Sequence, residues 1–208
     1  MTSVQPDSPH DTGGQPADIS TVVFDLGGVL VDWDPTYVLD RADVEALDIG
    51  GVQRELDLGV PVSQVRARWH ETYPDVTALI DRYFDQWHRT VAGPIDPVVH
   101  ILDELRAQPV GLYALSNFSG ELFRQVRHRF AFVDWFDGLV ISGDEGVVKP
   151  DGKIYRLLIE RHGLEPAKTV FIDDRTENVE AATVAGLVGV HFTSAAALRR
   201  QLRTMSVL

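Results

Sequence analysis

The sequence of 208 residues contains no cysteine, which excludes disulfide bonds, thiol nucleophiles, thiolate metal sites and iron–sulfur clusters. It also lacks an apolar run of the roughly 18 residues that a membrane-spanning helix needs. The first forty residues contain neither lysine nor arginine and no long apolar stretch, so the sequence does not predict a signal peptide. Together these absences predict a soluble, cytoplasmic protein.

Positive charge is also scarce. The chain has 31 acidic and 19 basic residues, a net charge of -12, and its only lysines are Lys149, Lys153 and Lys168. Nucleic acids and anionic membrane surfaces are bound by concentrated basic faces, so we expect neither as a partner. A small anionic molecule can still bind where a metal ion or one well-placed cation reverses the local charge.

The length of the chain fits one domain with an insertion rather than two large domains. Residues 1–18 combine proline and glycine with polar residues, which predicts a flexible tail. Five short apolar runs then have the composition of buried strands, and they lie at 21–24, 111–115, 138–141, 169–172 and 187–192. Helix-like segments follow at 119–130, 151–163 and 175–185. This alternation predicts an α/β fold with a parallel sheet covered on both faces.

The stretch between the first two strands is much longer than one connecting helix requires. Residues 34–108 show no convincing strand, and their pattern predicts helices at about 36–47, 62–72, 75–91 and 96–107. An insertion after the first strand lies over the carboxyl ends of the strands, where ligands bind in open α/β sheets. We therefore expect a core of residues 19–33 and 109–208, and a helical cap and return helix over 34–108. Trp69 and Trp87 of this cap are expected to pack in its interior.

Polar residues follow several of the predicted strands at the same edge of the sheet. Asp25 follows the first strand, and Ser116 and Asn117 follow the second. Lys149 precedes Pro150 after an irregular stretch, and the pair Asp173 and Asp174 ends the fourth strand. Each feature alone also has a structural interpretation: a chance acid before a glycine turn, a helix cap, or a solvated loop lysine.

These four features are more informative together than apart. A helix cap explains one acid at positions 173 and 174 but not two, whereas a hard cation such as Mg²⁺ relieves the repulsion between adjacent carboxylates. A carboxylate, a hydroxyl with a backbone amide, a lysine and an acidic metal site are what aspartyl-phosphate chemistry requires. Asp25 would attack phosphorus, Lys149 and the metal would neutralise the phosphoryl oxygens, and Ser116 would orient them.

The chain resembles the haloacid dehalogenase superfamily of hydrolases over about residues 20–195. The four motifs are VVFDLGGVL at 22–30, LSN at 115–117, VKPDGKIY at 148–155 and VFIDDRTEN at 170–178. The resemblance implies a Rossmann-like core with strand order 3-2-1-4-5 and an inserted helical cap. It implies Asp25 as nucleophile, with Ser116, Asn117 and Lys149 binding phosphate. It also implies Mg²⁺ held by Asp25, the Gly27 carbonyl and Asp174, with Asp173 beside them.

Gly27 departs from the usual pattern of phosphatases in this superfamily, which carry a second Asp two residues after the nucleophile as general acid and base. Glycine has no side chain to move a proton, although its carbonyl can still bind the metal. The segment resembles the bacterial branch that includes glucose-1-phosphate phosphatases, which also has a small residue there. Asp32 and Asp34 could supply the missing group, or could simply cap a helix.

These features predict a Mg²⁺-dependent phosphatase acting on a small phosphorylated metabolite, with a sugar phosphate favoured, as a monomer or homodimer. A 2-haloacid dehalogenase would use the same Asp25 without metal, but such enzymes typically have an aromatic residue at the position of Gly27 and lack the acidic pair. A non-catalytic phosphate-binding or regulatory homologue is a third hypothesis. Response-regulator receivers carry their acidic pair early and their lysine last, the reverse of the order found here.

Overall fold

The computed structural model describes residues 18–208, so the tail predicted for residues 1–18 lies almost wholly outside it. Seven strands occur in this range: β1 Thr21–Phe24, β2 Val31–Trp33, β3 Val91–Pro94, β4 Gly111–Ser116, β5 Gly138–Ile141, β6 Thr169–Asp173 and β7 Val188–His191. The first half contains helices α1 Arg41–Ala46, α2 Ile49–Asp57, α3 Val62–Thr72, α4 Thr77–Asp85 and α5 Asp96–Leu105. The second half contains α6 Gly120–Val126, α7 Ser142–Glu145, α8 Gly152–His162, α9 Thr176–Val184 and α10 Ala195–Thr204.

Five of the strands form one parallel sheet in the order β5-β4-β1-β6-β7. Numbered along the sheet strands alone, this is the order 3-2-1-4-5, so the predicted α/β class and topology are confirmed. β1 lies at the centre, with Phe24 in register with Ala114 on one side and Ile172 on the other. The carboxyl ends of β1, β4 and β6 are therefore adjacent at one edge of the sheet.

Both faces of the sheet are buried, which explains why its strands are apolar throughout rather than alternating. On one face Val23 and Phe171 pack with α8 and α9. On the other face Val22, Phe24 and Ile172 pack with α5 and α10. The sheet is thus held rigidly from two sides, and the ends of its strands are a firm base for a site.

A second, two-stranded antiparallel sheet pairs β2 with β3. The expectation that residues 34–108 contain no strand was therefore wrong, because Val91–Pro94 is extended and the helix predicted over 75–91 ends at Asp85. Both strands are short, and β3 contains glycine and proline, so neither shows a period-2 pattern of useful length.

The helices α1 to α4 between β2 and β3 are called the helical insert below. α3 was predicted closely, whereas the helix predicted over 36–47 is a short 3₁₀ turn at Pro35–Tyr37 followed by α1. α2 was not predicted at all. Trp69 and Trp87 are buried, as expected, and the Trp69 ring meets the rings of Tyr83 and Phe84 edge-on.

Candidate active site

The predicted nucleophile lies at the carboxyl edge of the central strand. Asp25 directly follows β1, and its backbone N–H donates to the carbonyl of Ile172 at 2.8 Å. Its side-chain Oδ1 accepts from the N–H of Leu26 at 2.7 Å, and its Oδ2 lies 2.9 Å from Nζ of Lys149. Both carboxylate oxygens therefore have a fixed partner, so the group is held in one orientation.

Lys149 is the buried cation of this site, with only 2 % of its surface exposed. Besides Asp25, its Nζ contacts Oδ2 of Asp173 at 2.7 Å and the carbonyl of Leu115 at 2.9 Å. Burial on its own lowers the pKa of Lys149, but the charges of Asp25 and Asp173 outweigh it and the pKa is raised. Lys149 is therefore positively charged across the physiological pH range.

The loop that carries Lys149 is held by the side chain of Asn117. The backbone N–H of Lys149 donates to Oδ1 of Asn117 at 2.8 Å, and Nδ2 of Asn117 donates to the carbonyl of Lys149 at 3.0 Å. The side-chain amide of Asn117 is thus used for positioning the lysine. The prediction that Asn117 binds phosphate stays open only for its backbone amide.

The two acids at the end of β6 have different surroundings. Asp173 is fully buried and accepts from Lys149, from Nδ2 of Asn178 at 3.0 Å and from the backbone N–H of Arg175 at 2.9 Å. Asp174 is exposed at the rim, and partial burial together with the charge of Asp173 raises its pKa. Asp174 is therefore the better available metal ligand, whereas Asp173 is occupied with holding its neighbours.

The donor set fits a hard divalent cation. One carboxylate oxygen from each of Asp25, Asp173 and Asp174 lies within 4.8 Å of the other two. Burial, with the charges of Asp173 and Asp174, raises the pKa of Asp25 against the opposing effect of Lys149. Three carboxylates against one ammonium would leave a surplus of negative charge, which Mg²⁺ with oxygen ligands would compensate.

A buried hydroxyl at the same edge lacks a partner. Ser116, the last residue of β4, is 1 % exposed, and its Oγ makes no hydrogen bond within the structure. Buried hydroxyls are normally satisfied. Ser116 is not among the residues that line the cavity over Asp25 and Lys149, so its role in binding phosphate stays a prediction.

The two glycines after Asp25 serve different purposes. Gly28 has a φ of 75°, and a Cβ there would lie 2.7 Å from Oδ2 of Asp174, so only glycine lets the loop approach this acid. Gly27 does not have a left-handed φ, and a Cβ there would meet nothing within 4 Å. The backbone of Gly27 therefore does not exclude a side chain.

A cavity of about 470 Å³ opens over these groups. Its core wall includes Asp25, Gly27, Lys149 and Asp174, and Trp33 and Phe118 add aromatic surface. The helical insert contributes Gly50, Gln53, Arg54 and Asp57 of α2 to the wall. The insert thus lies over the carboxyl edge of the sheet, as the long insertion after the first strand predicts.

Asp32 and Asp34, which were candidates for the missing proton-transfer group, do not line this cavity. Asp32 accepts from the hydroxyl of Tyr37 at 2.9 Å, and Asp34 caps a 3₁₀ helix by accepting from the N–H of Thr36 at 2.7 Å. Asp34 is therefore the helix cap that its structural interpretation proposes, whereas Asp32 caps no helix and holds a tyrosine hydroxyl instead. Sequence reasoning missed Asp57, because one acid in an unpredicted helix of an acidic chain carries no local signal.

Comparison with known proteins identifies the class of this protein as a hydrolase. The chain belongs to the haloacid dehalogenase-like hydrolase family, whose model matches residues 19–186. Among curated relatives, a sesquiterpene phosphatase of Aspergillus oryzae is 28% identical over 201 residues, covering 88% of this chain and 94% of its own. A phosphorylated carbohydrates phosphatase of Thermotoga maritima is 26% identical and covers 83% of this chain and 84% of its own.

Solved structures share the fold. A family enzyme of Bacteroides thetaiotaomicron, as a magnesium complex, superposes with a TM-score of 0.72 at 21% identity, covering 88% of this chain and 99% of the other. A dehalogenase superposes with a TM-score of 0.68 at 20% identity, covering 88% and 97%. A magnesium-bound enzyme of this family and a dehalogenase therefore share the architecture of this chain, so the fold alone does not select between two reactions. No helix within residues 18–208 is long and apolar enough to cross a membrane.

Proposed function

We propose that this protein is a Mg²⁺-dependent phosphatase that hydrolyses a small phosphate monoester through an aspartyl-phosphate on Asp25. The observation that carries the proposal is the cluster of Asp25, Lys149 and Asp174 in the wall of one cavity, with Asp173 buried behind them in contact with Lys149. A dehalogenase attacking carbon needs no acidic metal site, so the surplus of carboxylates favours phosphorus as the target. The curated phosphatase relatives support the same choice.

The residues of the chain have separate roles in this reaction. Asp25 is the nucleophile, held by Leu26 and Lys149 in one orientation. Lys149 would stabilise the phosphoryl oxygens through its positive charge as negative charge develops on them, and the hydroxyl of Ser116, which has no partner in the structure, would bind one of these oxygens. Asp25, the carbonyl of Gly27 and Asp174 would hold Mg²⁺, while Asp173 positions Lys149. The metal would supply charge neutralisation for the phosphoryl group.

For the substrate we propose a phosphorylated metabolite small enough for a cavity of about 470 Å³, with residues 34–108 acting as the cap that selects it. The sequence analysis favours a sugar phosphate as the substrate, and the Thermotoga maritima relative supports this choice. An isoprenoid phosphate is a second candidate, since the Aspergillus oryzae relative matches over nearly its full length and Trp33 and Phe118 give the cavity apolar surface.

The nucleophile is tested with Asp25→Asn against Asp32→Asn, an acid on the neighbouring segment that lies outside the cavity. We expect Asp25→Asn to lower kcat by more than about 10³-fold, because an amide cannot form the acyl-phosphate. Asp32→Asn should stay within a few-fold of the wild type. Near-normal turnover by Asp25→Asn, in protein shown by mass spectrometry to be free of deamidation, would exclude this mechanism.

The proposed metal requirement is tested by the binding of Mg²⁺ as well as by the rate of turnover. Mg²⁺ should raise the melting temperature of the wild type, and Asp174→Ala should abolish that rise. A chelator should stop turnover across a panel of sugar phosphates, farnesyl phosphate and nitrophenyl phosphate. Release of chloride from 2-chloropropionate in excess chelator, with no phosphate release from the panel, would instead establish the dehalogenase reaction.

A further inference from the structure

Asp57 is a carboxyl group of the cavity that has no part in the nucleophile and metal cluster. It is the last residue of α2, it is 8 % exposed, and it lines the cavity together with Asp25 and Lys149. Its Oδ1 accepts a hydrogen bond from Nε2 of Gln53 at 2.9 Å. Among the described residues its side chain has no basic partner in an ion pair, so burying this acid is not explained by a salt bridge.

The position of Asp57 is fixed relative to the core. Its backbone carbonyl accepts from the hydroxyl of Ser142 at 2.6 Å, and the same Ser142 Oγ accepts from the backbone N–H of Phe118 at 3.0 Å. Gly59 packs directly on the backbone carbonyl of Gly143, where no Cβ would fit. The C-terminal end of α2 is therefore attached to the segment that follows Ser116. This attachment fixes the position of Asp57 relative to the core.

Among the residues that the structure describes, the positions considered from the sequence do not bring a proton-transfer group into the cavity. Gly27 has no side chain, and Asp32 and Asp34 lie outside the cavity. In residues 18–208 the carboxyl groups that line it are those of Asp25, Asp57 and Asp174. Since Asp25 and Asp174 belong to the nucleophile and metal set, Asp57 is the carboxyl group left for the leaving oxygen.

We propose that Asp57 is the general acid and base of the phosphatase reaction, a proposal that rests on the function given above. Asp25 attacks phosphorus, and the bond from phosphorus to the ester oxygen breaks while Asp57 gives that oxygen its proton, releasing the alcohol. Asp57, now a carboxylate, takes a proton from water as the water oxygen attacks the aspartyl-phosphate. The bond from phosphorus to Asp25 then breaks, releasing inorganic phosphate and restoring both acids.

The electrostatics of Asp57 suit this double role. Burial raises its pKa to about 7, against the opposing effects of the Gln53 hydrogen bond, the charge of Lys149 and the backbone of Ser119. A group with a pKa near the working pH is available in both its acidic and its basic form. An ordinary surface aspartate would be ionised at neutral pH and could not give a proton.

The proposal is tested with Asp57→Asn, which keeps the shape of the side chain and the hydrogen bond from Gln53. Glu55→Gln is the matched control, an exposed acid on the same helix that pairs with Arg68 outside the cavity. Wild type and both variants are compared in kcat/KM over phosphate esters whose leaving groups range from nitrophenol to simple alcohols.

The two kinds of leaving group should respond differently. For alkyl phosphates Asp57→Asn should lose about 10²- to 10⁴-fold, the usual value of general acid–base assistance. For nitrophenyl phosphate, whose leaving group needs no proton, formation of the aspartyl-phosphate in single turnover should fall less than about tenfold. Glu55→Gln should match the wild type throughout.

An equal loss for all esters, or no loss for the alkyl esters, would overturn the role of Asp57 while leaving the phosphatase itself established. A wild type that hydrolyses no phosphate ester would overturn the proposed function and this role together.

Discussion

Identical residue types behave differently in this site because their surroundings differ, and the glycine pair after Asp25 is the sharpest case. Gly28 has a left-handed φ and its missing Cβ makes room for Asp174, whereas Gly27 faces open space. The lack of an acid at position 27 is therefore not imposed by local sterics. It is compatible with a chain that obtains this chemistry from another element.

We expect Gly28→Ala to be harmful and Gly27→Ala to be tolerated. The first substitution combines a strained φ with a Cβ 2.7 Å from a carboxylate oxygen, and it should cost about 1–3 kcal/mol of unfolding free energy and weaken Mg²⁺ binding. The second should change stability by less than about 1 kcal/mol. Denaturant unfolding and Mg²⁺ titration of both variants check this, and equal behaviour of the pair would contradict the assignment.

At the level of elements, the parallel sheet was predictable and the helical insert was not. The five buried strands are recognisable from their apolar composition. The motif residues at their ends could be placed together because the carboxyl ends of parallel strands lie at the same edge of the sheet. β2 and β3 are short and lack the alternation of apolar and polar residues that is typical of a strand. The segment that forms α2 contains Gly50 and Gly51, which have low helix propensity. In the structure Asp48 caps it, accepting from the N–H of Gly51 at 3.1 Å, and the helix buries Ile49, Val52 and Leu56.

The consequence is that Asp57 could not be predicted, because its burial depends on contacts between segments 85 residues apart in sequence. Asp25, Lys149 and the pair at 173 and 174 were recognisable from local motifs. Asp57 enters the site only through the docking of α2 on the segment of Phe118 and Ser142.

That docking is tested with Ser142→Ala. The variant removes one hydroxyl that joins two buried backbone groups, the carbonyl of Asp57 and the N–H of Phe118. Leaving them without a partner should cost about 1–3 kcal/mol of unfolding free energy. Ser20→Ala, at an exposed position, is the control and should have little effect. A Ser142→Ala variant as stable as the control would mean that this hydroxyl does not anchor α2.

At the scale of the whole molecule, a chain with a net charge of -12 also buries the carboxyl group of Asp57. Because burial changes the pKa of this group, the folding stability of the protein depends on pH. Asp57 has a pKa of about 7 in the folded protein and near 3.8 when unfolded. Between these values the folded state binds more protons than the unfolded state. The contribution of Asp57 to stability is therefore fully present below pH 3.8 and is lost as the pH rises through 7.

Asp57→Asn removes this titration while keeping the side-chain shape. The stability of the variant relative to the wild type should therefore increase as the pH rises from 4 to 7 and level off above it, by up to about 4 kcal/mol. Lys149, Gln53 and the nearby Tyr83 are unchanged, so the difference between the two proteins isolates Asp57 from the other acids. Urea unfolding from pH 4 to pH 8 measures it, and a difference that does not vary with pH would show that Asp57 is ionised in the folded state, as a surface carboxylate is.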